Sequence, residues 1–297
     1  MHTEPRRVLI AGARGLLGTP TTAAFRRDGG AEVLAVDLPE MDITDAAAVS
    51  GCMEAFGPDL VINCAAYTQV DACEQNEGLA SKVNGVGAGI MAKAAADHGA
   101  RMIHISTDYV FEGDARTPYR EDHPTGRAEK LSAYGRSKLL GEQLVRENHP
   151  GALIVRTAWL YGPNGPGFPN AILRRAQEDG KLRVVNDQRG SPTYAPDLAE
   201  ALRQLGRLDV GGIMHVTNSG ECTWYEFAGE IVWLAGLDVP VQPVTTAEFP
   251  RPAKRPAYSV LDNRRFVETV GRPLRPWQEA IREFITKGTC RGGMGPG

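Results

Sequence analysis

The chain has 297 residues and a formal net charge of −3 at pH 7. This length is enough for one large domain, or for two modest domains that share a core. The small net charge does not favour nucleic acid or an anionic membrane as a partner, and no apolar run is long enough to span a bilayer.

Cysteine usage indicates the compartment. The number of cysteines is odd and no two are spaced as metal ligands; they are Cys52, Cys64, Cys73, Cys222 and Cys290. This pattern favours reduced thiols over a disulfide framework. Because the opening residues show no signal peptide, the sequence predicts a cytoplasmic protein.

The first elements predict a dinucleotide site. An apolar strand is predicted at residues 7–11 and a helix at residues 21–27, and the turn between them carries Gly12, Gly15 and Gly18. Glycines there let backbone N–H groups approach a pyrophosphate, and the N-terminus of the helix favours its negative charge. A plain tight turn is the alternative. The turn also contains Arg14, Leu16 and Leu17.

The second predicted strand, residues 32–36, ends at Asp37, about twenty residues after the glycines. A carboxylate at this place can accept hydrogen bonds from an adenosine ribose and would repel a 2′-phosphate, which favours NADH. Arg14 could offset that repulsion and admit NADPH. The sequence does not decide between NADH and NADPH. A solvated acid at a strand end is the simpler interpretation of Asp37.

Strands and helices then alternate. The pattern predicts helices at residues 45–56 and 78–98 and strands at 60–63, 102–105 and 153–157. Such alternation is typical of an α/β protein with a Rossmann-type, doubly wound parallel sheet. The carboxyl ends of parallel strands meet at one edge, where ligands bind. Asp37, Ala65 and Thr107 are therefore expected to lie at the same edge as Gly12.

A polar segment at residues 112–129 predicts a flap over the site or a loop beside it. The helix predicted at residues 132–146 carries Tyr134 and Lys138, four residues apart and so on one face. A cation beside a phenol lowers its pKa from the usual value of about 10, which makes the tyrosine a candidate proton donor. Pairs of this spacing also occur by chance in many helices.

The composition of the chain changes after Gly162, where prolines and glycines cluster. Helices are predicted at residues 168–178, 196–205, 223–234 and 276–285, strands at 182–185 and 212–216, and a disordered tail at 288–297. Trp159, at a strand end, could stack on a flat ring or a sugar face, or could be packed in the interior. Arg255, in a basic and proline-rich segment, could bind a diphosphate or lie in a solvated loop.

Several motifs in the same order resemble the dTDP-4-dehydrorhamnose reductase family of extended short-chain dehydrogenases/reductases. The resemblance spans Val8 to about Ile285. It rests on the glycine turn, on Thr107 with Tyr134 and Lys138, and on four further stretches, at residues 106–111, 156–162, 186–193 and 255–262. It implies a cofactor domain at residues 1–162 and a smaller α/β sugar-nucleotide domain mainly at 163–287, with segments that cross between them.

The resemblance implies reduction of the 4-keto group of a dTDP-4-keto-6-deoxyhexose by NADPH, with NADH as the alternative donor. Tyr134 would donate the proton, Thr107 would hydrogen-bond to the reacting oxygen, and Lys138 would hold the nicotinamide ribose. The implied substrate contacts are Thr107, Asp108, Tyr109, Trp159, Arg189 and Arg255. The implied cofactor contacts are Gly12, Arg14, Gly15, Leu16, Leu17, Gly18, Asp37, Asp42, Ile43, Asn63, Ala65, Ala66, Tyr67, Asn84, Tyr134 and Lys138.

The chain departs from its relatives at two positions. Some relatives carry glutamates of an intersubunit metal site where this chain has Pro20 and Pro196. Proline has no side-chain ligand for a cation, so we expect no structural magnesium. A homodimer, if one forms, is expected to be of another type than the metal-bridged dimer.

Three other functions share parts of this pattern. A 4,6-dehydratase would carry a glutamate after the aspartate that follows the threonine, and this chain has Tyr109 there. An epimerase would retain its nicotinamide tightly through turnover, which the sequence does not exclude. A non-catalytic NADP-binding subunit, such as the regulatory partner of methionine adenosyltransferase, is disfavoured by the complete set of Thr107, Tyr134 and Lys138.

Overall fold

The computed structural model describes residues 5–27, 29–163 and 165–292. Its strands are β1 (Arg7–Ala11), β2 (Glu32–Val36), β3 (Leu60–Asn63), β4 (Arg101–Thr107), β5 (Leu153–Thr157), β6 (Leu160–Tyr161), β7 (Leu182–Val185), β8 (Arg189–Gly190), β9 (Thr193–Tyr194), β10 (Gly212–His215), β11 (Cys222–Thr223) and β12 (Val241–Val244). Its α-helices are α1 (Gly18–Arg26), α2 (Ala46–Phe56), α3 (Val70–Cys73), α4 (Glu77–Ala80), α5 (Ala88–Asp97), α6 (Ala133–Asn148), α7 (Phe168–Asp179), α8 (Ala195–Gly206), α9 (Trp224–Leu234), α10 (Arg264–Val270) and α11 (Trp277–Gly292).

Six strands form one parallel sheet in the order β10-β5-β4-β3-β1-β2. The register pairs Ala11 with Asn63 and Thr107 with Thr157, so the carboxyl ends of β1, β3, β4 and β5 meet at one edge. The predicted parallel α/β sheet is thus confirmed.

Alternating apolar residues build a core on each face of this sheet. Val8 and Ile10 face one way and pack with α1 and α8, whereas Leu9 and Ala11 face the other way and pack with α2, α5 and α6. All four side chains are fully buried. Because successive residues of a strand point to opposite faces, a stretch covered by helices on both sides must be apolar, as residues 8–11 of β1 are.

The helix predicted at residues 78–98 is interrupted. Between α4 and α5 the backbone forms a π-helical segment, Ser81–Gly87, that packs against α6. At this contact Gly141 of α6 lies so close to the backbone that a Cβ atom there would be 2.2 Å from the carbonyl oxygen of Asn84. A π-helical turn widens a helix and is common at functional sites, and this one carries the buried Asn84.

The second half of the chain forms its own apolar cluster and also returns to the sheet. Tyr161, Phe227 and Trp277 belong to a separate core beside the short strands β6 to β9. By contrast, α8 packs against the sheet and β10 extends it next to β5. The crossing of segments is therefore observed, while the domain boundary at residue 162 stays a prediction. The sequence analysis missed β12, α10 and several two-residue strands.

Two local predictions concern the loop before α6 and the end of the chain. Residues 112–129 form a loop beside the site, held by Tyr119, which is buried and stacks on Phe111 with ring centroids 4.2 Å apart. The helix α11 continues to Gly292, within the tail predicted to be disordered at 288–297, and residues 293–297 lie outside the described residues. Within the described part of the chain, no helix combines the length and apolarity needed to cross a membrane.

Candidate active site

A cavity of about 370 Å³ opens at the carboxyl edge of the sheet and is lined by Gly15, Thr107, Tyr134, Lys138 and Trp159, among others. These residues come from the glycine turn, the end of β4, the first turns of α6 and the segment after β5. The parallel register brings them together although more than a hundred positions separate the first from the last. The predicted glycine turn and the predicted proton donor therefore share one cleft.

The glycine turn is shaped by close backbone approaches. Gly12 has φ +71°, and a Cβ atom there would lie 2.6 Å from the backbone of Ala65. At Gly18 a Cβ atom would lie 2.0 Å from the carbonyl oxygen of Gly12. Among the described residues, no side chain caps the first turn of α1, whose N-terminus adjoins the cleft through Leu16 and Leu17. Backbone N–H groups in this arrangement fit a pyrophosphate.

Asp37 closes the turn from the end of β2. Its carboxylate accepts hydrogen bonds from the N–H groups of Arg14 and Leu38, both at 2.9 Å. The Arg14 guanidinium in turn binds the carbonyl oxygen of Leu38 and the carboxylate of Glu40. Asp37 and Arg14 thus lie side by side as the sequence predicted, and Glu40 is an additional charge that the sequence analysis overlooked.

Three predicted cofactor residues are not among the side chains that line the cleft. Asn63 is buried, and its Oδ1 accepts the N–H of Ala65 at 3.1 Å. Asn84 accepts the N–H of Tyr67 at 2.7 Å and donates to the carbonyl oxygen of Tyr67 at 3.0 Å. Ile43 is buried in the core. The two asparagines fix the loop after β3, where Ala66 lines the cleft.

Asp42 shapes its own turn. Its Oδ1 accepts hydrogen bonds from the N–H and the hydroxyl of Thr44, both at 2.8 Å, and these bonds lower the pKa of its carboxyl group. The carboxylate is thereby used within the turn and does not line the cleft described above.

Tyr134 is set into the cleft wall in a protonated state. Burial raises the pKa of its phenol, against an opposing interaction with the hydroxyl of Thr107. The ring of Tyr109 packs edge-on against it, with centroids 5.5 Å apart. The predicted lowering of the Tyr134 pKa is therefore wrong in direction, because loss of hydration raises it and the neighbouring groups Asp108, Tyr109 and Cys73 raise it further.

Lys138 lies beneath the same wall. Its Nζ donates to the carbonyl oxygen of Ile105 at 2.6 Å, and the side chain is almost fully buried. Burial lowers the pKa of the ammonium group to about 8, with Glu142, one turn further along α6, opposing the shift. Lys138 is oriented by β4 and still contributes to the lining of the cleft.

Asp108 adds a buried acid next to Thr107. The Thr107 hydroxyl donates to its Oδ1 at 2.9 Å. Burial raises the pKa of the Asp108 carboxyl group to about 6, against opposing hydrogen bonds that include those from Ser259 and Thr107. The residue lines the cleft as expected from the resemblance.

Two arginines meet one carboxylate at the mouth of the cleft. Arg255 donates to the hydroxyl of Tyr109 at 3.2 Å and lies 3.4 Å from Asp71. Arg251 lies 2.8 Å from the same carboxylate. Burial raises the pKa of Tyr109 to about 12, so its hydroxyl stays protonated beside them. The group carries a net positive charge and can hold an anion; Asp71 and Arg251 were not singled out from the sequence.

Trp159 forms a stacked pair with Trp224, with ring centroids 3.4 Å apart and planes inclined by 4°. Both indoles line the cleft. Trp159 has φ +46°, a conformation that non-glycine residues rarely adopt. Trp224, at the start of α9, was missed because nothing in its local sequence distinguishes it from a core aromatic.

Arg189 does not reach the cleft. It pairs with Glu221 and Glu226 at 3.4 and 3.5 Å, and β8 holds it against β11. The predicted substrate contact of Arg189 stays a prediction, and in the structure two carboxylates neutralise its guanidinium.

Comparison with known proteins agrees with this geometry. A family model described as the RmlD substrate binding domain matches residues 6–290. The chain is 43% identical to the dTDP-4-dehydrorhamnose reductase of Streptomyces griseus over 95% of its length and 94% of the relative's. The chain belongs to the dTDP-4-dehydrorhamnose reductase family.

Further members of this family match over nearly the full chain. A spore coat polysaccharide biosynthesis protein, SpsK of Bacillus subtilis, is 44% identical over 94% of this chain and 96% of its own. The crystal structure of a dTDP-4-dehydrorhamnose reductase from Clostridium acetobutylicum superposes with a TM-score of 0.91 at 42% identity and covers 95% of this chain and 99% of that one. A Bacillus anthracis dTDP-4-dehydrorhamnose reductase crystallised with NADP gives a TM-score of 0.90 at 37% identity, covering 95% and 99%.

Proposed function

We propose that this chain reduces the 4-keto group of a dTDP-4-keto-6-deoxyhexose, taking dTDP-4-dehydrorhamnose to dTDP-rhamnose or performing a related ketoreduction. The observation that carries the proposal is the single cleft in which Thr107, Tyr134 and Lys138 adjoin the glycine turn at Gly15. Full-length relatives named dTDP-4-dehydrorhamnose reductase support the choice of substrate.

The residues present fit a nicotinamide dinucleotide. The close approach at Gly12 and the uncapped α1 suit the pyrophosphate, Asp37 suits an adenosine ribose, and Lys138 suits the second ribose. A bound NADPH, or NADH as the alternative, supplies the hydride that reduces the ketone.

The side chains supply the proton and the stabilisation of charge. Because burial, with Asp108 nearby, raises its pKa, the Tyr134 phenol carries its proton at neutral pH and can give it to the oxygen as that oxygen becomes negative. Thr107 hydrogen-bonds to the same oxygen, which lowers the energy of the developing charge. The single hydroxyl proton of Thr107 is donated to Asp108 at 2.9 Å in the structure, so the hydroxyl must turn from Asp108 to the substrate oxygen to stabilise its charge.

The substrate's diphosphate would bind at Arg255, with Arg251 as a second cation nearby. Both arginines already share Asp71, so they are ordered before an anion arrives. The Trp159–Trp224 pair forms a flat apolar wall against which the 6-deoxy sugar would lie. Tyr109 stands where a 4,6-dehydratase would require a glutamate, which disfavours elimination of water.

The deciding experiment incubates the purified protein with NADPH, and separately with NADH, and a panel of 4-keto nucleotide sugars while absorbance of the reduced nicotinamide is followed. We expect oxidation that depends on a dTDP-4-keto-6-deoxyhexose. An epimerase would instead carry tightly bound nicotinamide and change the sugar without net oxidation. A non-catalytic subunit would bind the nucleotide and leave every sugar unchanged. The cytoplasmic location and the homodimer remain predictions from the sequence.

A further inference from the structure

Three charged groups crowd the place where the end of β2 meets the glycine turn. Asp37 binds the backbone of the turn through the N–H of Arg14. The guanidinium of Arg14 extends past Asp37 and pairs with Glu40, which follows in the same loop. The two acids thus flank one arginine, and the local charge sums to minus one.

The pair of Arg14 and Glu40 keeps both side chains charged. The hydrogen bond between the two lowers the pKa of Glu40 and raises that of Arg14, so both remain charged across the physiological range. The side chains are 60% and 49% exposed, respectively. An exposed pair of this kind is weakly held and can be exchanged for a stronger anion.

NADPH and NADH differ by one phosphate on the adenosine 2′ oxygen, next to the acid that ends the second strand of this fold. We propose that Glu40 lowers the affinity of this chain for NADPH relative to NADH, by occupying the guanidinium of Arg14 that a 2′-phosphate would need. The inference rests on the proposed function, since it assumes that the glycine turn holds a nicotinamide dinucleotide.

Two physical effects act in the same direction. A 2′-phosphate must displace the carboxylate of Glu40 from Arg14 before it gains a cation. The displaced carboxylate then remains close to a phosphate that carries nearly two negative charges. NADH presents a neutral hydroxyl at this place. Asp37 can accept a hydrogen bond from that hydroxyl without disturbing the pair of Arg14 and Glu40.

The test measures dissociation constants of NADPH and NADH by fluorescence titration at low ionic strength, without any sugar substrate. The variants are Glu40→Gln, Arg14→Gln and the double variant. Glu40→Gln should tighten NADPH about tenfold and change NADH less than about threefold, as expected when one charge is removed close to a phosphate. Arg14→Gln should weaken the binding of NADPH. In the Arg14→Gln background, Glu40→Gln should raise the logarithm of the NADPH affinity by less than half of the increase that it gives in the wild-type background.

Glu32→Gln is the matched control. Glu32 is an exposed acid at the start of β2, at the opposite end of the strand, and is paired with Arg7 at 3.1 Å. Its replacement should leave the ratio of the two dissociation constants unchanged. The proposal is overturned if Glu40→Gln leaves that ratio within twofold of wild type, or if its gain is equally large without Arg14. Absence of binding of either nucleotide to the wild-type protein would instead overturn the proposed function itself.

Discussion

Arg156 and Glu142 form a buried, two-point ion pair beneath the active site. Nε and Nη2 of Arg156 lie 2.8 and 2.7 Å from the two carboxylate oxygens, and the side chains are only 2% and 3% exposed. Ser106 donates to the same carboxylate at 2.6 Å. The pair therefore ties α6, which carries Tyr134 and Lys138, to β4 and β5 at their carboxyl ends.

Breaking this pair should be strongly destabilising. Glu142→Ala leaves the Arg156 guanidinium buried without its counter-charge, which typically costs about 3–5 kcal/mol. Urea unfolding followed by circular dichroism measures the loss. Glu77→Ala is the control, because its pair with Arg136 is exposed and should contribute less than about 1 kcal/mol. Equal losses in the two variants would contradict the structural role of Glu142.

Tyr134→Phe removes the proposed proton donor and keeps the aromatic packing. We expect turnover to fall by at least about 100-fold, the usual contribution of general acid catalysis, with nucleotide affinity nearly unchanged. Steady-state kinetics and nucleotide titration measure the two effects. Tyr225→Phe, in the apolar cluster formed by the second half of the chain, should retain full turnover. A Tyr134→Phe enzyme with more than about a tenth of wild-type turnover would show that another group supplies the proton.

Asp108 should make the stability of the protein depend on pH. Its pKa is about 6 in the folded protein and near 3.8 in the unfolded chain, so between these values the folded state binds the additional proton. Stability from this group is present at low pH and is lost as pH rises through about 6. Asp108→Asn removes the charge, so its stability relative to wild type should grow by about 2 kcal/mol between pH 4 and pH 7.

Urea unfolding of both proteins at the two pH values checks this prediction. A stability difference that stays constant across the range would mean that the carboxyl group is ionised equally in the folded and unfolded states.

Gly141 should tolerate no side chain. Gly141→Ala places a Cβ atom 2.2 Å from the carbonyl oxygen of Asn84, so α6 must move away from the π-helical segment, at about 1–3 kcal/mol. Gly51→Ala is the matched change on the exposed surface of α2, where nothing lies within 4 Å. That variant should be more stable than wild type by about 0.5–1 kcal/mol. Thermal melts of both variants give the comparison, and a stable Gly141→Ala protein would contradict the close helix contact.

Magnesium should have no structural role in this chain. Pro20 and Pro196 lie in the first turns of α1 and α8, and the described residues contain no cluster of three or more side chains suited to a metal. We expect substoichiometric magnesium in the purified protein and a melting temperature unaffected by chelator or by added Mg²⁺. Stoichiometric metal that raises the melting temperature would disprove this prediction.

Local pattern was enough to predict much of this protein. The alternation of apolar strands and helices predicted the parallel sheet, because the part of a strand that is buried on both faces is apolar, as residues 8–11 of β1 and 60–62 of β3 are. The glycine turn was readable because Gly18 meets a steric demand within a few residues of itself, from the carbonyl oxygen of Gly12. The spacing of Tyr134 and Lys138 placed both on one face of α6 for the same local reason.

Only the tertiary structure decided what these groups experience. Burial depends on residues distant in sequence, so the raised pKa of Tyr134 and the bond from Lys138 to Ile105 could not be read from helical spacing. Trp224 lines the cleft beside Trp159, and Arg189 pairs with Glu221, through contacts between residues far apart in the sequence that no local pattern records. The sequence by itself determined which chemical groups are present and their order along the chain, whereas long-range packing determined their charge, orientation and neighbours.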